Sequence, residues 1–453
     1  MNVFEYKKAL RNKKISVIGV GVSNAPLIRF LVDGGAIVSA HDKKNASALG
    51  DIYKELSALG VSFVFGEGYL KEIPDGTEII FKTPGLRGDV PELLAAKEKG
   101  IEVTSEMELF FELCPCEIIA VTGSDGKTTT TTLVGEMLKK EGYTCHIGGN
   151  IGKPLVAELE NMKPDDKAVL ELSSFQLFSM KKSPKIAVVT NVTPNHLDWH
   201  KDFEEYIESK KNIMKYQDEN SVLITNYSNA ITKKMGEEAK GEWRSFSSTK
   251  DALVHLDNNE IFFGSEKIIN ASDIIIPGIH NIENYMAAIA ATKDYVSRET
   301  VEYVAKNFGG VPHRIELVRT LDGVRYYNDS IASSPARTTA GLSSFNEKVI
   351  LIAGGYDKKI PFDEFGEVIN ERVKKLVLVG LTSEKIEAAV KNASNFEGLP
   401  IFKETDFEHA VKTARNCAES GDIVILSPAC ASFDLFKNFE ERGNLFKKIV
   451  MDF

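Results

Sequence analysis

The sequence predicts an α/β chain of three domains, each built on a largely parallel sheet. Three observations lead there. Short buried apolar runs recur along the chain with helical patterns between them, and strands alternating with helices make parallel layers. Most of these runs end in a glycine-containing or polar turn, and the strand ends of open α/β sheets are where ligands sit. The 453 residues are about three typical domain lengths.

Bulk composition narrows the function classes. Lys and Arg number 55 against 65 Asp and Glu, and no block of like charge stands out. This argues against non-specific nucleic-acid binding and for small-molecule chemistry. No run of 18 apolar residues occurs, so no membrane span is expected. Met1 to Lys14 lacks the apolar centre of a secretion signal. The five cysteines, at 114, 116, 145, 417 and 430, follow no disulfide or zinc spacing, and Cys114-Pro115-Cys116 is too close for a metal knuckle. A reducing cytoplasm fits this usage.

The first domain, 1–105, opens with a strand and glycine turn, Lys14-Ile15-Ser16-Val17-Ile18-Gly19-Val20-Gly21-Val22-Ser23-Asn24. A helix with Leu27, Ile28, Phe30 and Leu31 on its apolar face follows, then a strand Ala36 to Ala40 ending at His41-Asp42. This is the Rossmann-like beginning of a nucleotide fold, with an acid about 20 residues after the turn. Asn24 stands where a dinucleotide fingerprint has its third glycine, so nicotinamide binding, binding of another nucleotide, and a purely structural turn all remain open. Phe81-Lys82-Thr83-Pro84-Gly85 reads as a later strand end and loop.

The central domain, 106–310, contains the most informative stretch: Ile118-Ile119-Ala120-Val121-Thr122-Gly123-Ser124-Asp125-Gly126-Lys127-Thr128-Thr129. A buried strand, a glycine turn and a helix present backbone N–H groups to a phosphate chain. Lys127 supplies a point charge for outer phosphates and Thr128 or Thr129 a hydroxyl for Mg²⁺. Two residues separate Gly123 from Gly126, where the ordinary P-loop has four. Gly148-Gly149-Asn150-Ile151-Gly152 reads as a second small turn. Glu171 interrupts the apolar strand Ala168 to Leu172; a buried carboxylate is costly unless paired or metal-bound. It is therefore either a Mg²⁺ ligand or half of a structural salt bridge. Ile186 to Asn191 is another buried strand, and beyond it His196, Asp198 and His200 alternate. With eight histidines in the chain and no second cluster, one of them as a Mg²⁺ or phosphate contact is preferred to a zinc site. By composition Lys210, within a helical stretch from Phe203 to Tyr216, is an ordinary solvated lysine. Gly278 to Asn284 leads into an alanine-rich helix, and its asparagines either read a base or cap that helix.

The last domain, 311–453, begins near Val311-Pro312-His313-Arg314 and is a second Rossmann-like layer. Strands are expected at Val349 to Ala353, Leu376 to Val379 and Ile423 to Leu426. Their loops include Gly354-Gly355-Tyr356-Asp357-Lys358 and Ser427-Pro428-Ala429-Cys430-Ala431-Ser432, while Tyr327-Asn328-Asp329-Ser330 is a polar loop after another strand. Loops gathered at strand ends of successive units suggest a site built between domains.

Taken together, these motifs resemble the Mur ligases and the related folylpolyglutamate synthases. The resemblance rests on Thr122 to Thr129 with its shortened glycine spacing, Gly149-Asn150-Ile151-Gly152, Glu171-Leu172-Ser173-Ser174-Phe175-Gln176-Leu177, Asn191 to Asp198, His280-Asn281 and Pro312-His313-Arg314. Tyr327 to Ser330, Ser427 to Asp434 and Lys437 to Gly443 are similar to the members that add D-glutamate.

The resemblance implies a central P-loop-type ATPase domain between two Rossmann-like domains, and three substrates: ATP, UDP-N-acetylmuramoyl-L-alanine and D-glutamate. It implies that Val22, Ser23, Asp42, Thr83, Pro84, Gly85 and Asn150 meet the UDP substrate. Gly123, Ser124, Asp125, Gly126, Lys127, Thr128 and Thr129 would cradle ATP, with Asn284 reading adenine and Arg314 meeting phosphates. Thr128, Glu171 and His196 would serve Mg²⁺, two ions being expected. Lys210 matches a lysine that is carbamylated by CO₂ in relatives, which would make it a further metal ligand and a catalytic group beside Lys127, His196 and Glu171. Lys358, Ser333, Ser432, Phe433 and Phe439 would face D-glutamate. Relatives commonly show Asn-Asp-Ser-Lys-Ala-Thr where this chain has Asn328-Asp329-Ser330-Ile331-Ala332-Ser333, so isoleucine replaces a lysine near the amino-acid site. The resemblance also implies a monomer in a bacterial cytoplasm.

Overall fold

The computed structural model describes every residue except Val22 and Lys250. Three sheets account for its strands. The first holds β1 (Lys14–Ile18), β2 (Ile37–Asp42), β3 (Ser62–Phe65), β4 (Ile79–Lys82) and β5 (Glu102–Thr104). They lie in the order β3-β2-β1-β4-β5, all parallel. The chain reverses at β1, so a crevice opens at the carboxyl ends of β1 and β4, where Gly19 and Thr83 stand.

The second sheet holds β6 (Glu117–Thr122), β7 (Cys145–Gly149), β8 (Lys167–Glu171), β9 (Ile186–Val189), β10 (Val222–Asn226), β11 (Glu242–Ser247), β12 (Val254–Asp257), β13 (Glu260–Phe263) and β14 (Glu266–Asn270). Its order is β14-β13-β12-β11-β10-β9-β6-β8-β7. It is parallel from β7 to β12 and antiparallel through β13 and β14. β6 lies between β8 and β9, so Thr122, Glu171 and Val189 end side by side. The third sheet holds β15 (Glu316–Leu321), β16 (Val324–Asn328), β17 (Val349–Ala353), β18 (Val373–Val379), β19 (Ile401–Glu404) and β20 (Ile423–Leu426). Its order is β15-β16-β20-β17-β18-β19, with only β15 antiparallel.

Two compact units result. Met1–Ala271 with Ile282–Val304 form one, and Ser272–Asn281 with Ala305–Phe453 the other. In the first unit a single apolar core runs from Val17 and Phe81 of the first sheet through Phe110 to Leu170 of the second, joined by Leu10 and Met214 from helices. The β6 run Ile118–Val121 is apolar on successive residues because both faces of a parallel strand are covered. In the second unit the two faces separate cleanly. Leu351, Leu376 and Ile425 enter one core, and their neighbours Ile350, Ile352, Val377 and Val424 enter the other, as side chains alternating across a strand require.

The strands expected at Val349 to Ala353 and Ile423 to Leu426 are found with those bounds, and the strand-and-turn stretch from Lys14 to Asn24 opens with β1. Leu27, Ile28, Phe30 and Leu31 are all buried on the helix Asn24–Asp33. One turn is redrawn: Gly148 and Gly149 are not turn residues but the end of β7, paired with Leu170 and Glu171. A Cβ on Gly149, which has φ +97°, would strike the Glu171 carbonyl, so glycine serves close strand approach here. Among the described residues no helix is long and apolar enough to cross a membrane.

Candidate active site

The phosphate loop sits where β6 meets the helix Lys127–Glu141. Gly123 has φ +150° and a Cβ there would collide with Thr190 Oγ1; Gly126 has φ +77° and a Cβ there would collide with Asn284 Oδ1. Both positions therefore demand glycine, for backbone angle and for space. The loop is held from the adjoining strand end. Asn191 Oδ1 accepts from the N–H groups of Ser124 (3.2 Å) and Asp125 (2.9 Å), and Thr190 Oγ1 donates to the Asp125 carbonyl at 2.6 Å. Ser124 Oγ donates to the Thr193 carbonyl at 2.9 Å and meets Tyr206 OH at 2.9 Å. Lys127 Nζ folds back on the loop, donating to the carbonyls of Gly123 (3.0 Å) and Ser124 (2.9 Å). Thr128 and Thr129 occupy the first turn of the helix.

Glu171 ends β8 beside this loop and is only 2% exposed. Its two side-chain partners are neutral: Thr128 Oγ1 donates to Oε2 at 2.6 Å and Asn150 Nδ2 to Oε1 at 2.8 Å. Of the two readings open from sequence, this donor set favours the metal ligand over the salt bridge. A buried carboxylate next to a phosphate-loop threonine hydroxyl fits a hard divalent cation.

Lys210 departs from the composition-based reading of a solvated lysine. It is 1% exposed. Its Nζ donates to the Gly123 carbonyl at 2.7 Å, lies 3.4 Å from Thr122 Oγ1 and sits 4.7 Å from the centre of the Tyr206 ring. Burial, reinforced by the Lys127 charge, drives its amine well below the ordinary lysine range, against weaker support from Asp125 and Glu171. A signal for this burial was available. Tyr206, Ser209, Lys210, Ile213 and Met214 form the buried stripe of the helix Phe203–Lys215, at helical spacing.

His196 is exposed, with φ +54° and its ring edge-on to Phe175 at 4.9 Å. Burial lowers its pKa, Asp198 opposes this, and the charges of Lys127 and Lys210 lower it further. The alternation with His200 does not survive folding. His200 is buried, and its Nε2 meets Ser174 Oγ at 3.0 Å. Asn284 lies behind the phosphate loop, where its Oδ1 accepts from Thr130 at 3.3 Å.

Val22 lies outside the described residues. At the first sheet's crevice, the Asp42 carboxylate accepts from the backbone N–H of Val20 (2.7 Å) and of Lys44 (2.8 Å). Ser23 is the N-cap residue of the helix Asn24–Asp33, and Asn24 Nδ2 donates to the carbonyls of Ile18 (3.1 Å) and Gly19 (2.9 Å). Thr83 crosses to β1, its N–H bonding the Ile18 carbonyl at 2.9 Å, and Pro84 and Gly85 continue that loop. The Gly85 carbonyl accepts from Trp199 Nε1 at 3.0 Å.

In the second unit, Lys358 Nζ lies 3.4 Å from both Ser333 Oγ and the Ser333 carbonyl. Ser432 is buried, whereas Phe433 is 64% exposed with its ring edge-on to Tyr356. Phe439 opens the helix Phe439–Met451 and packs against His313 at 5.8 Å. Arg314 is exposed and contributes a positive field at Asp329. Asp329 is buried and accepts from Ser427 Oγ at 2.7 Å; burial pushes its carboxyl up to about 7. Sequence reasoning gave no role to Arg442, which is 3% exposed and braces this loop. It donates to Ser330 Oγ (3.0 Å) and to the carbonyls of Ser330, Cys430 and Ala431.

A strand-end carboxylate, a glycine loop with its lysine, and a buried helix lysine on the same carbonyl suit a nucleotide's phosphates and a cation beside them. Residues 121–292 match the Mur ligase middle domain and residues 313–430 the Mur ligase, glutamate ligase domain. The chain belongs to the Mur ligase family. Within that family its relatives include the UDP-N-acetylmuramoylalanine–D-glutamate ligase of Acetivibrio thermocellus, 55% identical over 98% of both chains. The enzyme of the same name from Clostridium perfringens is 50% identical, again over 98% of both. Solved structures share the fold. UDP-N-acetylmuramate-alanine ligase MurC of Thermotoga maritima aligns with TM-score 0.56 and 18% identity over 97% of this chain and 99% of that one. MurF of Acinetobacter baumannii gives 0.55 and 15% over 98% and 92%.

Proposed function

We propose that this chain is an ATP-dependent ligase that joins D-glutamate to UDP-N-acetylmuramoyl-L-alanine, a cytoplasmic step in building peptidoglycan precursors, and that it acts as a monomer. The observation that supports this most is the cluster at the end of β6, β8 and β9. There the phosphate loop, Glu171 and Lys210 converge, in a chain about half identical over its full length to D-glutamate ligases.

A carboxylate and an ammonium do not condense in neutral water, so the carboxylate is activated first. Transfer of the γ-phosphate of ATP gives an acyl phosphate, the amine of D-glutamate attacks its carbonyl carbon, and phosphate leaves. Lys127 stabilises the spread charge of the transferring phosphoryl group once it turns from the loop carbonyls to the nucleotide. Glu171, Thr128 and His196 would hold Mg²⁺, whose charge would offset that of the phosphates. Lys210, if carbamylated, would add an anion suited to a second ion. Ser23, Asp42, Thr83, Pro84, Gly85 and Asn150 bind the uridine substrate. Asn284 and Arg314 serve the nucleotide, and Lys358, Ser333, Ser432, Phe433 and Phe439 serve D-glutamate. The proposed domains are 1–105, 106–310 and 311–453, a division supported by one sheet falling within each range.

The test is phosphate release from ATP with UDP-N-acetylmuramoyl-L-alanine and a panel of amino acids. D-glutamate alone should support turnover. Release with another amino acid, or none with any, would overturn the assignment.

A further inference from the structure

Arg87 stands two residues beyond Gly85, on the loop leaving β4. Its guanidinium is used on every side. Nε and Nη2 donate to the two oxygens of Asp89 at 2.9 and 2.7 Å. Nη1 and Nη2 donate to the two oxygens of Glu205, both at 2.8 Å, and Nη1 also donates to the Trp199 carbonyl at 3.1 Å. Its central carbon lies 4.7 Å from the Phe178 ring and 5.1 Å from the Trp199 ring. Only a planar fork satisfies two carboxylates in this way while stacking on aromatic faces; an ammonium does not.

What these partners are attached to gives the arrangement its meaning. Glu205 lies in the first turn of the helix Phe203–Lys215, whose start Asp202 caps. Ser209 Oγ donates to the Glu205 carbonyl at 2.7 Å, and Lys210 is the next residue. Trp199 belongs to the segment that presents His196, and both rings pack on Phe175, at 4.8 and 4.9 Å. Trp199 also returns to the Gly85 carbonyl through Nε1. The loop after β4 is thus fastened to the helix bearing Lys210 and to the segment bearing His196. The apolar core joins the two sheets, and the clasp adds a directional tie at this one loop.

We propose that Arg87 is a positioning residue that sets the register of the Thr83-Pro84-Gly85 loop relative to His196 and Lys210. The uridine-linked substrate then meets the phosphoryl-transfer site with its carboxylate in line. This rests on the ligase reading and extends it to a residue outside the ligand-contacting set. A small shift of this loop weakens the uridine substrate's hold without touching the ATP loop.

The test compares the full-length parent with Arg87→Lys, which keeps charge but loses the fork, and Trp199→Phe, which keeps an aromatic ring but loses the Nε1 donor. Each is followed by thermal melting, by steady-state kinetics in all three substrates, and by calorimetric binding of UDP-N-acetylmuramoyl-L-alanine without ATP. Expected are rises of about fivefold for Arg87→Lys and about threefold for Trp199→Phe in KM and Kd for the uridine substrate, with KM for ATP and D-glutamate within about twofold of the parent. Unchanged KM and Kd for the uridine substrate, or equal rises for all three substrates, would overturn the proposal. If Arg87→Lys melts far below the parent, Trp199→Phe decides alone. A parent that binds the uridine substrate but shows no turnover defeats the ligase reading instead, and the calorimetric comparison still judges the clasp.

Discussion

Lys210 and Lys127 address the same oxygen: the Gly123 carbonyl accepts from Lys210 Nζ at 2.7 Å and from Lys127 Nζ at 3.0 Å. Two ammonium groups on one carbonyl repel, and Lys210 is the buried member. Burial and the Lys127 charge both favour loss of its proton. A neutral amine is a nucleophile toward CO₂, and a carbamate would replace repulsion by attraction to Lys127.

Replacing Lys210 by alanine should lower ligase activity about 100-fold, and short carboxylates such as acetate should restore part of it by supplying the missing anion. Phosphate-release assays with and without acetate measure this. A variant as active as the parent would remove the carbamate from the mechanism.

Lys127→Ala should abolish ATP-dependent amide formation, a loss of about 1,000-fold or more, because a charge aimed at the moving phosphoryl group has no substitute in the loop. Circular dichroism should match the parent, since Lys127 bonds carbonyls of its own loop. Retained turnover would refute the loop's role.

Asp329 gives a pH signature of stability. Burial raises its carboxyl to about 7, against bonds from Ser427 and Ile315 that work to lower it. The unfolded chain ionises this group near pH 4, so between about pH 4 and 7 unfolding releases a proton and stability falls as pH rises. Above the folded value the loss is complete. Asp329→Asn should erase this slope, changing the stability gap from the parent by a few kcal/mol between about pH 4 and 8. Urea unfolding midpoints across that range test it, and parallel profiles would contradict it.

His146 gives a slope of the same sign for a different reason. Burial works to lower its pKa, but bonds to Asp166 (3.0 Å) and Glu158 (3.1 Å) outweigh it, and the net shift is upward. The stabilisation is complete below the unfolded value of about 6.5 and fades as pH rises through the folded one. Melting of His146→Gln should fall below the parent by the equivalent of roughly 1 kcal/mol at acidic pH, with the gap closing in alkali.

The sequence was most readable where burial is two-sided. Apolar runs such as Ile118–Val121 and Val349–Ala353 belong to central parallel strands and need no periodicity to be seen. The hairpin strands β13 and β14, the edge strand β15 and the short β3, β5 and β19 are half-exposed and mixed in character, and they gave no such run. Glycine misled at β7, where it permits strand contact instead of a bend. Within the site, the phosphate loop could be derived from residue types alone, because each of its glycines answers a steric demand. Lys210 could not: its charge outweighed its place on an apolar stripe, and only resemblance singled it out. The supports from Asn191 and Arg442 come from residues distant in sequence, which no local pattern exposes.

Asn24 offers a lesson in retooling. Its amide fills the bend after β1 by bonding two carbonyls, and both oxygens of Asp42 are already engaged by backbone N–H groups. An engineer wishing to seat a nicotinamide dinucleotide on this scaffold would have to empty the bend that Asn24 fills, while Asp42 keeps lone pairs to offer a ribose hydroxyl.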